Sequence, residues 1–380
     1  MWSIRRSKLI AALQVLDLVP VKLGIPSSEF IYIRSENGKV KMSVASYIAG
    51  EVEVEGKGEW PLKKGFFVDR YSFFPWVFAS REIKNKNLFE FTRHKDSLVI
   101  NHGTRKLELE SQSNVKGYGN PKKLFKHKHT SIPVSTVLKE MLMCGKNCAV
   151  SDAIVPHLNT VYVTKGKSGS LGMEAYASSD KVYYLGLGNL EEGKIKSAIP
   201  FPLFLIGLLN TDGIKKISWV GKYIVLRFEQ GIIWQPISEE ALKEFPVSDI
   251  QLYAKKSKKV PITFVASSRR FTTLMVRLSY YLQAVRRKDW SVRISGKKNK
   301  KYISVYSEIP GSHFNEKLSI SEKIPDNFKL DWPLDILSPV FEFLSKKTKK
   351  LGLVVRVDNR HGISYVRAGA YWLAVTSRQE

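Results

Sequence analysis

Three segments of this chain share one order of elements at an even spacing. That repetition restricts the fold more than any other feature of the sequence. Each segment opens on an amphipathic helix. Leu9, Ile10, Leu13 and Leu16 make the first apolar stripe. Val137, Leu138, Met141 and Leu142 make the second, after Ser135, which suits an N-cap. Phe271, Leu274, Met275, Leu278, Leu282 and Val285 make the third, capped by Ser267 or Ser268. Alternating strands follow, as in Phe30–Ile33, Thr160–Val163 and Tyr302–Tyr306. A second, proline-containing apolar helix is expected over 69–79, 201–210 and 333–344, with starts 132 residues apart. Each segment then closes on a hairpin. The pairs are Leu88–Phe91 with Ser97–Ile100, Tyr223–Phe228 with Ile232–Gln235, and Leu353–Val357 with Gly362–Val366. Gly231 and Gly362 supply turn glycines.

The fold class this predicts is α+β: three repeated domains, each with two helices packed on antiparallel sheets. The expected boundaries are 1–120, 130–254 and 260–380, with basic linkers at 121–130 and 255–259. Three unrelated α+β domains are the rival reading, and the even spacing weighs against it. A length of 380 residues suits two or three domains. No apolar run approaches the ~18 residues of a membrane span. The N-terminus lacks the apolar core of a signal peptide. Two cysteines make no disulfide framework, so a reducing cytoplasm or a nucleus is expected.

Charge narrows the partners. The chain carries 61 Lys and Arg against 35 Asp and Glu, a net charge of +26. Between Gln251 and Lys301 there are 15 basic residues and one acid, Asp289. Such a balance points to a polyanion, first to nucleic acid and second to an anionic membrane surface, for which no lipidation motif or basic juxtamembrane helix speaks.

Catalytic motifs do not assemble. Gly166-Lys167-Ser168 resembles the end of a phosphate loop, but Val161 stands where the loop needs its first glycine. Gly186-Leu187-Gly188 lacks the third glycine of a dinucleotide fingerprint. Cys144 and Cys148 have no second pair to complete a zinc site, and read as buried thiols one helical turn apart. His127 and His129 alternate with lysines in a linker. Glu191-Glu192 and Glu239-Glu240 are neighbours, which diverge on a strand and make a poor metal cage. No enzymatic activity and no cofactor are expected. A nuclease whose carboxylates converge only in the fold is the enzyme alternative.

The chain resembles the bacterial-type DNA polymerase sliding clamp, the beta subunit of the replicase. Length, triplication and element order carry the resemblance over nearly the whole chain. Locally, Phe245-Pro246 with Val247–Tyr253 looks like the family's entry to the third domain. Thr263–Leu278 is similar to that domain's first helix, and Ala370–Val375 to the final strand. Ala175–Val182 resembles the strand and turn that carry a Thr-Asp-Gly-His-Arg-Leu-like run in the family.

The resemblance implies a ring of two three-domain protomers, helices lining the hole, that slides on duplex DNA and tethers a polymerase. A sliding surface attracts phosphates without reading bases. The candidate DNA contacts are Arg5, Arg6, Lys8, Arg70, Arg81, Lys139, Lys146, Lys215, Lys216, Arg269, Arg270, Arg277, Lys346 and Lys347. Lys84, Lys349 and Lys350 stand in the same segments. The resemblance also implies an apolar pocket between the second and third domains. It receives a short peptide from a polymerase or a clamp loader. Its matching positions are Ala177, Ser179, Lys181, Val182, Tyr253, Trp372 and Ala374. Ser179, Asp180 and Trp372 depart from the family pattern, so a different peptide is an expectation. Family members are generally acidic and this chain is basic. Near Gln283-Ala284 the family's dimer contact is more apolar. Both a homodimeric ring and a monomer held by charge therefore stay open. A virus or mobile element is a natural home for so divergent a clamp. The alternative function is a non-ring basic DNA-binding accessory protein on the same fold.

Overall fold

The computed structural model describes residues 1–22, 25–62, 64–82, 87–111, 130–149, 160–165, 172–177, 182–192, 199–237, 260, 262–284, 291–309, 312–348, 352–358, 362–369 and 371–377. Among them are seven α-helices: α1 (Arg6–Asp17), α2 (Pro26–Glu29), α3 (Arg70–Phe78), α4 (Thr136–Cys148), α5 (Leu203–Leu208), α6 (Ser268–Ala284) and α7 (Leu334–Lys347). Each of three copies runs strand, helix, three strands, one strand, helix, three strands. The opening strands are Trp2–Arg5, Thr130–Pro133 and Ile262–Ser267. The middle strands of the first copy are Phe30–Glu36, Lys39–Ala45, Ala49–Val54 and Phe66–Asp69, and its last three are Leu88–His94, Ser97–His102 and Arg105–Glu110. Among the described residues only the first copy adds α2 and the short strand Lys57–Gly58.

Pairing repeats too. In every copy the opening strand pairs with the first of the last three strands. The strand before the second helix pairs with the first middle strand. Each copy thus yields a terminal set and a middle set of four strands. The terminal set of copy two joins the middle set of copy one, at Gly231–Trp234 against Ala49–Val52, in an eight-stranded sheet. The terminal set of copy three joins the middle set of copy two, through Val182–Glu192 and Tyr371–Ser377, in a second one. The terminal set of copy one stays in a five-stranded sheet, and the middle set of copy three in a four-stranded one. Shared sheets group the chain into two compact units. One is Met1–Val134 with Thr211–Ile237; the other is Ser135–Asn210 with Ser238–Glu380.

Local chemistry explains the elements. Asp69 caps α3 by accepting from the Ser72 amide, and Ser135 caps α4 through the Leu138 amide. Ser267 accepts from the Arg270 amide at the start of α6. Asn37 and Gly38, both at positive φ, make the tight turn between Phe30–Glu36 and Lys39–Ala45. Pro75, Gly207 and Pro339 fall 132 residues apart inside the three second helices, so each contains a residue that weakens a helix. The apolar stripe of α1 is buried, and Leu16 and Val19 close over Gly50. In the other unit, Phe271, Trp332 and Phe341 pack ring to ring, and the Trp332 indole donates to Ser364 Oγ at 2.9 Å. A buried indole needs such an acceptor.

Each copy opens on a strand rather than on the helix expected first, and two elements differ further from the sequence reading. Thr263–Ser267 belongs to a strand, not to the helix expected over 263–278. Its burial alternates with period two from Ile262 to Ala266, and only from Ser268 does the period become helical. The second helix of copy two spans only Leu203–Leu208, because Phe201 and Pro202 complete the strand Ile199–Pro202. Val285 lies outside the described residues.

Candidate functional site

Within the second unit the helices lie side by side: α6 packs on α7, α7 on α4, and α4 on α5. The hydroxyls of Ser268 and Thr348, 2.6 Å apart, hold the start of α6 to the end of α7. That join brings exposed Arg269 and Arg270 to the same corner as Lys346 and Lys347. Lysines in the last turn of α7 suit the negative end of its dipole. Arginines in the first turn of α6 do not, since that end is already positive and no acid stands there. Cations that a helix would rather not hold, gathered at one corner, favour an external anion such as phosphate. Lys139 and Lys146 follow on α4, half-buried and in line with Met143. Lys146 Nζ lies over Gly207 of α5.

Two cations of this set are internally engaged. Lys347 pairs with Glu140 of α4 at 3.2 Å. Arg277 pairs with Glu316 of the strand Ser312–Ser319. Beside Arg277 stand Tyr280, 59% exposed, and Tyr281, which packs against Phe314. The sequence reading passed over this aromatic surface. Its only signal was two tyrosines one turn beyond Arg277.

The first unit corrects part of the sequence list. Arg70 is not a DNA contact. It is 5% exposed, and its guanidinium donates to the main-chain carbonyls of Val19, Leu16 and Asp17 and to the Asp17 carboxylate. Arg6 is half-buried and donates to the Ser80 carbonyl at 3.2 Å. Arg5 and Lys8 are exposed. Lys216 is exposed on a sheet rather than a helix. It opposes Arg227 on the face turned away from α1. Lys215, exposed, precedes it. The side chain of Arg81 lies outside the described residues, as do Lys84, Lys349 and Lys350.

The expected pocket divides. Register runs Tyr176–Gly186–Ala374–Tyr365 in one row and Ala177–Leu185–Val375–Ser364 in the next. Neighbouring rows face opposite sides of a sheet. Ala177, fully buried, therefore shares the face of Val375 and not that of Ala374. It cannot line one pocket with Trp372 and Ala374. Those two share a face with Ile363 and Tyr365, against which Trp372 packs half-buried, its ring 6.2 Å from that of Tyr176. Ser179, Lys181, Tyr253 and the Val182 side chain lie outside the described residues.

Among the described residues the other motifs supply no reacting group. Cys144 and Cys148 are buried in α4, and Cys144 Sγ donates to the Pro339 carbonyl at 3.6 Å. Burial, with Glu140 and Glu342 nearby, pushes the Cys144 thiol up to about 12. Gly186-Leu187-Gly188 is part of the strand Val182–Glu192. Gly166–Ser168, His127, His129, Glu239 and Glu240 lie outside the described residues. Among the described residues no three His, Cys, Asp or Glu gather as a metal site, and no helix is long and apolar enough to cross a membrane.

No protein-family model matches the chain, and no curated protein sequence does. Solved structures match over its full length. It is similar to the beta subunit of the DNA polymerase of Streptococcus pyogenes, with TM-score 0.74, 15% identity and 100% of both chains covered. The Helicobacter pylori beta clamp bound to a DNA ligase peptide gives TM-score 0.71 and 14% identity, again with 100% of both chains. A putative DNA polymerase III beta subunit from Eubacterium rectale gives 0.75 and 10%, covering 100% of this chain and 99% of that one. The fold is that of the DNA polymerase III beta sliding clamps.

Proposed function

We propose that this chain is a divergent DNA sliding clamp, a non-enzymatic processivity factor that holds duplex DNA by sequence-independent phosphate contacts and tethers a polymerase or other DNA-acting protein. The full-length likeness to beta clamps carries this reading. The basic corner formed by Arg269, Arg270 and Lys346 supports it, with Arg5, Lys8, Lys139 and Lys146 as further contacts. The clamp domains are 1–120, 130–254 and 260–380, and each eight-stranded sheet forms across one of their junctions. The face of Trp372, Ala374, Ile363 and Tyr365 is the docking groove for a partner's short peptide, as the Helicobacter pylori clamp takes one from DNA ligase.

Sheet topology also favours a ring. Each junction joins a middle set to the terminal set of the next copy. The middle set of copy three and the terminal set of copy one remain unjoined among the described residues. A second protomer placed head to tail would complete both, pairing Ser312–Ser319 of one with Arg105–Glu110 of the other. The test is retention on nicked circular DNA in moderate salt, before and after linearisation. A clamp stays on the circle and runs off the cut DNA. Equal retention on both forms would instead establish the charge-held accessory protein that a net charge of +26 also allows.

A further inference from the structure

Internal repetition places a second apolar floor on the first unit. In the sheet that joins copies one and two, the face away from α1 carries Val220, Val225, Ile232 and Trp234 as one buried cluster, none more than 9% exposed, with the partly exposed Ala49 and Tyr223 against it. Tyr223, Val225, Ile232 and Trp234 come from the same positions as the Trp372 cluster. Advancing by 140 residues turns the pair Tyr223–Pro236 into Ile363–Thr376, and Val225–Trp234 into Tyr365–Ala374. It also turns Arg227–Ile232 into Arg367–Trp372. Across the junction, Ala49 stands opposite Trp234 as Gly186 stands opposite Ala374. Each floor therefore holds one tryptophan on its junction strand and a small residue facing that strand. The tryptophan sits one row further along in the first unit.

The rim is accessible and basic. Ala49 and Tyr223 are half-buried, Pro236 is exposed, and Tyr47, at the turn into Ala49, is 46% exposed. Lys222 is exposed and lies 5.8 Å over the Tyr223 ring. Arg227 flanks the other end, its guanidinium donating to Ser218 Oγ at 2.9 Å. Of the acids on this face of the strand Ala49–Val54, Glu51 is closed by Arg34 and Glu53 by Lys39, each at 2.6 Å. Glu229 and Asp212 lie in turns outside the strands. An apolar floor between cations fits a bulky apolar side chain flanked by carboxylates.

We propose that this face is a second docking groove, for a short acidic peptide of a partner protein seated by a bulky apolar residue between Ala49 and Tyr223, at the open edge of the Trp234 cluster. One protomer would then offer two grooves of one construction, and could hold two DNA-acting proteins at once. The inference extends the docking reading of the Trp372 face, but it stands on residues of the other unit.

Fluorine NMR on full-length protein carrying 5-fluorotryptophan tests it, with resonances assigned by single Trp→Phe variants. The probe is an acetylated hexapeptide with adjacent leucine and phenylalanine between aspartates. Its control has serines in place of the two apolar residues. Expected is a saturable shift of the Trp234 resonance that persists in Trp372→Phe protein and is absent with the control. Lys222→Glu, a surface change, weakens binding about two- to fivefold. Ala49→Leu fills the floor and weakens it at least about tenfold. A response at Trp372 with Trp234 silent overturns the second groove and leaves the first. A response at Trp234 with Trp372 silent supports the second groove and sinks the first. Silence at both overturns both.

Discussion

Arg70→Met separates a structural arginine from a DNA-binding one. The guanidinium sits under the end of α1, where the last carbonyls of a helix lack partners within it. It donates to Val19 O at 2.8 Å and to Leu16 O and Asp17 O at 3.3 Å, and it lies 4.9 Å from the Phe74 ring centre. Methionine keeps an apolar stem on Phe74 and removes every donor. The ion pair with Asp17 adds little, because that carboxylate is 55% exposed. The loss is therefore the buried carbonyls, each about 1–3 kcal/mol when left without a partner. Leu16 O keeps the Val19 amide as a donor at 3.1 Å, so two carbonyls lose their partner, one of them bonded at long distance, and about 2–4 kcal/mol is expected. In a unit of this size that lowers Tm by about 4–16 °C. Calorimetry reads the stability. A salt titration of DNA binding reads the contacts, since each neutralised phosphate adds about 0.9 to the slope of log K against log salt. Arg70→Met should lower Tm and leave the slope unchanged. A normal Tm with a slope reduced by about one would refute the assignment and return Arg70 to the DNA surface.

Arg269→Gln with Arg270→Gln should do the reverse, reducing the salt slope by about two with Tm nearly unchanged. Arg277→Gln should move the slope less, because Glu316 already engages that arginine; an equal effect in the same titration would count against this. At Gly145 a Cβ would stand 2.7 Å from Val161 Cγ1, where α4 crosses the strand Thr160–Lys165. Gly145→Ala should therefore destabilise by about 1–3 kcal/mol despite its better helix propensity, read as a lower urea midpoint. The Cys144 thiol is raised from 9.0 to about 12 in the folded protein, so the fold binds that proton more tightly than the unfolded chain does. Its contribution is complete below pH 9 and fades between pH 9 and 12, and the thiol should resist Ellman's reagent at pH 8 until the protein unfolds.

The fold was legible because its signals repeat and are local. Ser135 before an apolar stripe, or Asn37-Gly38 between alternating runs, fixes an element without help from distant residues. Three copies let each weak signal support the others. Errors came where one copy departs from its siblings. Pro202 could open a helix or end a strand, and the pairing of Ile199–Pro202 with Thr160–Val163 decides for the strand. Ile262–Ser267 is apolar enough for a helix, and only its partner Gly352–Val357 makes it a strand. Seams between copies could not be read at all, because they depend on partners nearly two hundred residues away, as Trp234 does on Ala49.

The sites were less legible for a physical reason. A cation in a sequence has three fates, and composition does not separate them. Arg70 is consumed by the carbonyls of α1, and Arg277 and Lys347 by acids on neighbouring elements. Arg269 and Arg270 are exposed at a helix start that does not favour them. What decides is the acceptor one turn or one strand away in space. The same holds for the apolar groups, where one step of register moves Ala177 to the face opposite Ala374. A strand's alternation is visible in sequence, but which phase faces a partner is set by what covers the sheet. A net charge of +26 therefore implies a polyanion without locating it. The helix corner is the candidate for it, because Arg269 and Arg270 there oppose the dipole of the helix that carries them. Stability alone would not select such an arrangement, so the corner should lose DNA contacts before it loses fold.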